Sequence, residues 1–202
     1  MAFALSLPHW LMQMEHFYNT TFNGLTEDAL TLQKGEYEKC LFKNLDLSNK
    51  KLFEMRFFDC EFINCNVSMA NTAQTVFSAC QFTACKMLGL HFDHCSAFGL
   101  SFSFTECNLS HSVFYKLKIP KTQFNKCVLH ECDFTETDLS AALFKECDLL
   151  HTKFERTLLE KADLSTAINY SIDPELNKLK KAKFSMPEVL HLLDKYGIII
   201  DG

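Results

Sequence analysis

The chemistry this chain has to offer rests on ten cysteines and a few histidine–acid neighbours. His91 and His94 flank Asp93 beside Cys95, and His130-Glu131-Cys132 repeats the theme. Imidazole, carboxylate and thiolate are the ligands of zinc-class ions. His111 near Cys107 has the composition of a base with a nucleophile. Cys60/Cys65, Cys80/Cys85 and Cys127/Cys132 are evenly spaced pairs, but the tighter Cys-x-x-Cys of zinc ribbons is absent. No Gly-x-Ser-x-Gly, Walker loop, His-Glu-x-x-His or dinucleotide fingerprint occurs.

What these groups do depends on the elements that hold them, and the cysteines themselves give the pattern. Cys40, Cys60, Cys65, Cys80, Cys85 and Cys95 share one five-residue phase, and Cys107, Cys127, Cys132 and Cys147 share a second, offset by two. Two residues after each stands a hydrophobic position, such as Phe42, Phe62, Phe82, Leu109, Leu129 and Phe134. A strict period of five belongs neither to a helix nor to a simple strand, so it marks an internal repeat. Repeat centres run from Leu32 to Phe102 and again from Phe104 to Leu164. A small residue often lies two before the centre, as at Ala70, Ser112, Thr137 and Ala162. Asp or Asn often comes just before it, as at Asp46, Asn66, Asn71, Asn108, Asp133, Asp138, Asp148 and Asp163.

Ala162-Asp163-Leu164, Cys107-Asn108-Leu109 and Cys147-Asp148-Leu149 show the unit most clearly. This resembles the pentapeptide-repeat family, whose consensus is roughly Ala-(Asp/Asn)-Leu-X-X, over about two-thirds of the chain. The resemblance implies an all-β solenoid, a right-handed quadrilateral β-helix of about seven coils with four pentapeptides per coil. Stacked at ~4.8 Å, those coils make a rod of roughly 34 Å. Residues twenty apart then stack: Phe42, Phe62, Phe82 and Phe102 in one ladder, Phe104, Phe124 and Phe144 in another, Phe114, Phe134 and Phe154 in a third. The cysteines take the small inward position, where a thiol behaves as a small hydrophobe and is inert. Cys95 points in while His94 points out, and His130 and Cys132 diverge in the same way. No metal site, cofactor or catalytic residue is therefore expected, and the chain is read as not an enzyme.

The expected organisation has three parts. Residues 1–30 form an N-terminal cap and imperfect first coil, with a short helix from Pro8 to His16 and Phe17 and Phe22 in phase with the grid. That apolar segment is either a lid on the first coil or a partner-binding arm. Residues 31–171 form the β-helix, with two residues inserted near 98–103 as a bulge, a kink or a small contact loop. One of Phe102 and Phe104 is expected outside the core. Residues 172–202 form a capping module. Asp173-Pro174-Glu175 reads as a helix start, Ser185-Met186-Pro187-Glu188 as a capping box, and Gly197 as a helix end. Val189, Leu190, Leu192, Leu193, Tyr196, Ile198 and Ile200 are the candidate dimer interface. Members of the similar family pair end to end through this region, so a homodimer is expected.

Composition agrees with a single rod-like domain. Glycine and proline are scarce and the net charge is only −5. Met1 to Leu7 lacks the basic start of a signal peptide and no stretch approaches a membrane span, so reduced thiols in a cytoplasm are expected. Charge is uneven. Between Phe62 and Phe104 only Lys86 and Asp93 are charged, whereas Glu131, Asp133, Glu136, Asp138, Glu146 and Asp148 make an acidic stretch.

The resemblance extends to quinolone-resistance and gyrase-poison-immunity members. It implies a DNA-mimicking binder of type II topoisomerase (DNA gyrase), an acidic rod occupying a basic DNA saddle. Those six carboxylates are the candidate contacts. Direct binding of nucleic acid or membrane is not expected. The alternative is a repeat scaffold for another protein, to which the near-neutral stretch is suited.

Overall fold

The computed structural model describes residues 14–25 and 32–199. Within them the five-residue grid becomes a parallel β-solenoid. One sheet stacks β1 (Glu15–Tyr18), β3 (Gly35–Glu38), β5 (Arg56–Phe58) and β7 (Val76–Ser78). The second stacks seven strands: β2 (Thr21–Asn23), β4 (Leu41–Lys43), β6 (Glu61–Ile63), β8 (Cys80–Thr83), β9 (Phe102–Thr105), β10 (Gln123–Asn125) and β11 (Leu143–Lys145). Seven strands at successive levels correspond to six turns of the coil. Isolated bridges such as Asp133↔Lys153 and Asn66↔Lys86 define the other two faces.

Each face is a three-residue strand, too short to bury anything alone. The centre residue and the residue two before it point inward, as the period-2 pleat requires. Stacked phenylalanines fill the axis. Phe42 lies 4.5 Å from Phe62 with rings 11° apart, and rings on adjoining faces meet edge-on, as Phe57 meets Phe62 at 71°. Each such pair adds about 0.5–1.5 kcal/mol beyond area burial. Most corners are turned two residues after the centre through a left-handed residue, with φ between 50° and 64°. No β-branched residue takes this conformation among the described residues, as its sterics demand.

Two small features hold the corners and faces. Asp46, Asn66, Asn71, Asn108, Asp133, Asp138, Asp148 and Asp163 each accept, through Oδ1, the backbone N–H two residues on, at 2.8–3.2 Å. In the inward position, thiols and hydroxyls donate to a carbonyl of the coil below, as with Thr75 to Leu52, Cys60 to Tyr37 and Thr152 to Leu129. That shared bond explains why Cys, Thr and Ser interchange there.

Several expectations are corrected. The two-residue insertion leaves the ladder unbroken, because β8 pairs with β9 over Cys80↔Phe102 to Thr83↔Thr105. Phe82 therefore stacks on Phe104 at 5.4 Å, and the two phenylalanine ladders ending and starting here are one. Phe102 and Phe104 are both buried. Ala97 turns outward at this level, so the axis lacks a centre residue on one face. Phe102, standing where Cys80 stands one coil earlier, tilts against Phe92 and Phe104 at 5.2 and 5.0 Å and supplies that volume. The inserted residues emerge as a short turn, with Phe98 75 % exposed and Gly99 left-handed at φ 64°.

At the N-terminus, most of the expected helix from Pro8, including Trp10 and Leu11, lies outside the described residues. Its end does not form: Glu15 and His16 belong to β1, because Phe17 stacks on Tyr37 at 4.7 Å and pairs with the next coil. Phe17 and Phe22 thus begin the coil in register with Tyr37 and Phe42.

Asp173-Pro174-Glu175 is a turn and not a helix start; Asp173 accepts the N–H of Glu175 at 2.8 Å. The backbone ladder continues past it through Leu158↔Lys178 and Asp163↔Lys183. A nine-residue 3-10 helix, Glu188–Tyr196, then packs on the last coil and ends at left-handed Gly197. The capping box does not form. No side chain caps this helix, and Ser185 donates instead to the carbonyl of Ser165.

Candidate partner-binding surface

Every charged side chain of the candidate surface stands on a corner or beside a strand centre, so its neighbours are the residues twenty before and after it. Glu136 sits between Lys116 at 3.6 Å and Arg156 at 3.0 Å. The Arg156 guanidinium holds its carboxyl below the usual range, with Lys116 adding to the effect. Arg156 and Lys153 also flank Glu155, at 2.8 and 3.2 Å. Glu131 faces His111 at 3.4 Å, and Glu146 has Lys145 at 4.0 Å.

Asp133, Asp138 and Asp148 carry a structural duty already described, each accepting a backbone N–H of its own turn. Asp148 also meets His130 at 2.8 Å and Asn169 at 2.8 Å. Burial raises its pKa, and the Asn169 and His130 contacts outweigh that and lower it. The six carboxylates thus wrap around the coil, on three faces and three corners, with basic residues threaded among them. The corners from Glu106 to Lys161 carry both signs, alternating along columns such as Lys116–Glu136–Arg156 and Glu106–Lys126–Glu146, while those at Asn64, Met69, Gln74, Ala79, Ala84, Gly89 and Gly99 are uncharged.

The candidate dimer residues divide. Leu192 packs against the core, Val189, Leu190 and Leu193 are half-buried, and Tyr196 and Ile198 are exposed. Ile200 lies outside the described residues. The helix is tied down by polar contacts: Lys195 reaches Asp173 at 2.8 Å and Glu175 at 2.6 Å. Tyr196 donates to Glu175 at 3.1 Å.

All ten cysteines are buried and free. Burial pushes the Cys60, Cys95 and Cys132 thiols up to about 12. Because the insertion offsets the phase by two, Cys65, Cys85, Cys107, Cys127 and Cys147 fall in one column across it. Cys107 donates to the Phe82 carbonyl, 25 residues back, where other coils span 23. His111 stays at the surface with Glu131 and forms no pair with buried Cys107.

One grouping was named from the sequence and set aside because Cys95 points inward. Cys95 points inward and His94 outward, as expected, but His91, Asp93 and His94 converge outside without the thiol. The signal lay in the local turn, which is a 3-10 turn over Phe92–His94 in place of the usual left-handed corner.

Comparison with known proteins bears on the fold. Residues 122–160 and 132–168 match the family model for pentapeptide repeats. No curated protein sequence is significantly similar to the chain. Two trypsin-treated point variants of QnrB1, a plasmid-mediated fluoroquinolone resistance protein, are similar in structure. The first has TM-score 0.60 at 17 % identity, covering 93 % of this chain and 98 % of that one. The second has TM-score 0.60 at 16 % identity, covering 94 % and 100 %. No helix among the described residues is long and apolar enough to cross a membrane; residues 122–168 carry pentapeptide repeats, and the chain shares the fold of these structures.

Proposed function

We propose that this rod is a non-enzymatic binder of a type II topoisomerase, DNA gyrase, that protects the enzyme against drugs or toxins acting on it. The observation that carries the reading is the way the rod fixes its carboxylates. Asp133, Asp138 and Asp148 are locked by hydrogen bonds to their own turns, on a scaffold whose coils repeat at the spacing of paired strands. Charges held in place beforehand lose little entropy on meeting a basic surface. The likeness in fold to a fluoroquinolone resistance protein over nearly the whole chain supports the same reading. Two rods joined through Leu190, Leu193, Tyr196 and Ile198 would present these groups with two-fold symmetry.

The test is supercoiling by purified gyrase with and without a fluoroquinolone, at several salt concentrations. Salt-sensitive inhibition, or rescue of the drug-treated enzyme, is expected. Unchanged supercoiling and unchanged drug sensitivity at micromolar protein would sink the proposal. Light scattering of the purified chain tests the dimer, and a monomer at all concentrations would remove it.

A second reading, a scaffold for a different protein, is favoured by one observation. Lys116 and Arg156 pair with Glu136, His130 with Asp148 and Lys153 with neighbouring Glu155, leaving mixed charge in place of a continuous negative stripe.

A further inference from the structure

At most corners a left-handed residue turns the chain, but after Phe92 the turn is 3-10. His94 N–H bonds to the carbonyl of His91 at 3.3 Å, and Cys95 N–H to that of Phe92 at 3.0 Å. In such a turn, side chains three apart eclipse. His91 and His94 are therefore face to face, with ring centroids 4.6 Å apart and planes 14° apart. Asp93 spans both. One carboxylate oxygen lies 3.2 Å from His91 Nδ1 and the other 3.5 Å from His94 Nε2. The three ligand atoms lie within 4.8 Å of one another. A tetrahedral ion bound at about 2.0–2.1 Å holds its donors roughly 3.3 Å apart, and each imidazole nitrogen already lies near that distance from one oxygen of the shared carboxylate.

We propose that His91, Asp93 and His94 bind a divalent transition-metal ion of the zinc class. Two imidazoles and a carboxylate form a donor set suited to Zn²⁺, Co²⁺ or Ni²⁺, whereas Mg²⁺ and Ca²⁺ require oxygen ligands. A soft ion needing thiolate is disfavoured, because Cys95 is buried with its sulfur inside. The turn brings the three side chains together: Phe92 anchors it in the core, the Asp93 side chain is 16 % exposed, and both imidazoles are open to solvent, so one can rotate out of the stack to aim its nitrogen at a shared ion. Three protein ligands leave at least one position for water or for a donor from a partner. The ion would add positive charge to a stretch carrying almost none, and would stiffen the chain just before the exposed turn at Phe98 and Gly99.

The test uses full-length reduced protein titrated with Co²⁺ and with Zn²⁺. Cobalt held by nitrogen and oxygen gives weak visible bands, whereas thiolate ligation adds intense near-ultraviolet charge transfer, so the spectrum separates this site from the ten cysteines. One equivalent with weak bands only, lost in His94→Ala and in His91→Ala but retained in His111→Ala, is expected. Both substituted imidazoles are solvent-exposed, and circular dichroism checks that each variant keeps its fold. No uptake, thiolate bands, or equal uptake by wild type and the His91→Ala/His94→Ala double variant would overturn the proposal.

Discussion

The coils between Phe62 and Phe104 and those from Glu106 to Lys161 share one core and differ almost entirely at their corners. In the first, the left-handed positions hold Asn, Met, Gln, Ala and Gly, and the outward apolar groups Met69 and Phe98 are 62 and 75 % exposed. In the second, the same positions hold Glu, His, Lys and Arg, with Ala141 the exception, paired along columns such as Lys116–Glu136–Arg156. Beneath both, the phenylalanine ladder Phe62–Phe82–Phe104–Phe124–Phe144 runs on without a gap. The repeat thus separates what folds the rod from what the rod displays.

The largest effects are expected where that separation predicts sameness. Phe104→Ala at the neutral edge and Phe124→Ala in the charged half should each cost about 3–5 kcal/mol in urea unfolding. A cost below about 1 kcal/mol for Phe104→Ala would mean that the insertion has loosened the core there. Thiol chemistry gives a second check across both regions. All ten cysteines are buried, so native protein should label slowly with a thiol reagent and unfolded protein fast. Prompt labelling of several native thiols would contradict the inward column.

Smaller effects sharpen the difference between the halves. Asp138→Ala removes the acceptor for the Ser140 N–H and should cost about 1 kcal/mol, while Asp138→Asn keeps the acceptor and loses only the charge. If both variants destabilise alike, charge and not the turn bond is what Asp138 contributes. The triple change Asp133→Asn, Asp138→Asn, Asp148→Asn should accordingly leave the fold intact and weaken any gyrase effect. Acid should act through the depressed carboxylates Asp46 and Asp163, held down mainly by Ser48 and Ser165 respectively. Their folded pKa lies below the unfolded value of about 3.9, so their contribution is present above that pH and is lost as pH falls through the folded value. A melting temperature that rose on acidification below about pH 4 would reverse this sign. Least of all, Glu136→Gln should leave the urea midpoint nearly unchanged, because its partners are exposed and solvent screens the pair.

The fold was legible because the grid is strict. The inward cysteines, the ladders and the polar residue before each centre all follow from period and size. Where a residue served two rules, the sequence misled. Asp173-Pro174-Glu175 carries a helix-start signature, but the same side-chain bond closes a turn of the coil, and pairing with the preceding coil decides. Phe102 and Phe104 compete for one position in the list of centres; only the outward turn of Ala97 shows that both have room. The acidic stretch was visible, but its neutralising partners lie twenty residues away on either side and belong to a surface that a linear reading does not assemble. His91 and His94 face each other for a purely local reason, the 3-10 turn, which the repeat itself gave no cause to expect.

The helix Glu188–Tyr196 carries a consequence beyond its polar ties to Asp173 and Glu175. A coil in a parallel stack offers an identical docking edge to whatever comes next, and nothing in the repeat specifies a last rung. Chains with a bare end would add to one another as monomers add to the tip of a growing filament. By laying Leu192 and its neighbours over the final coil, the helix supplies the chain terminator that the repeat lacks, and so limits the size of the particle.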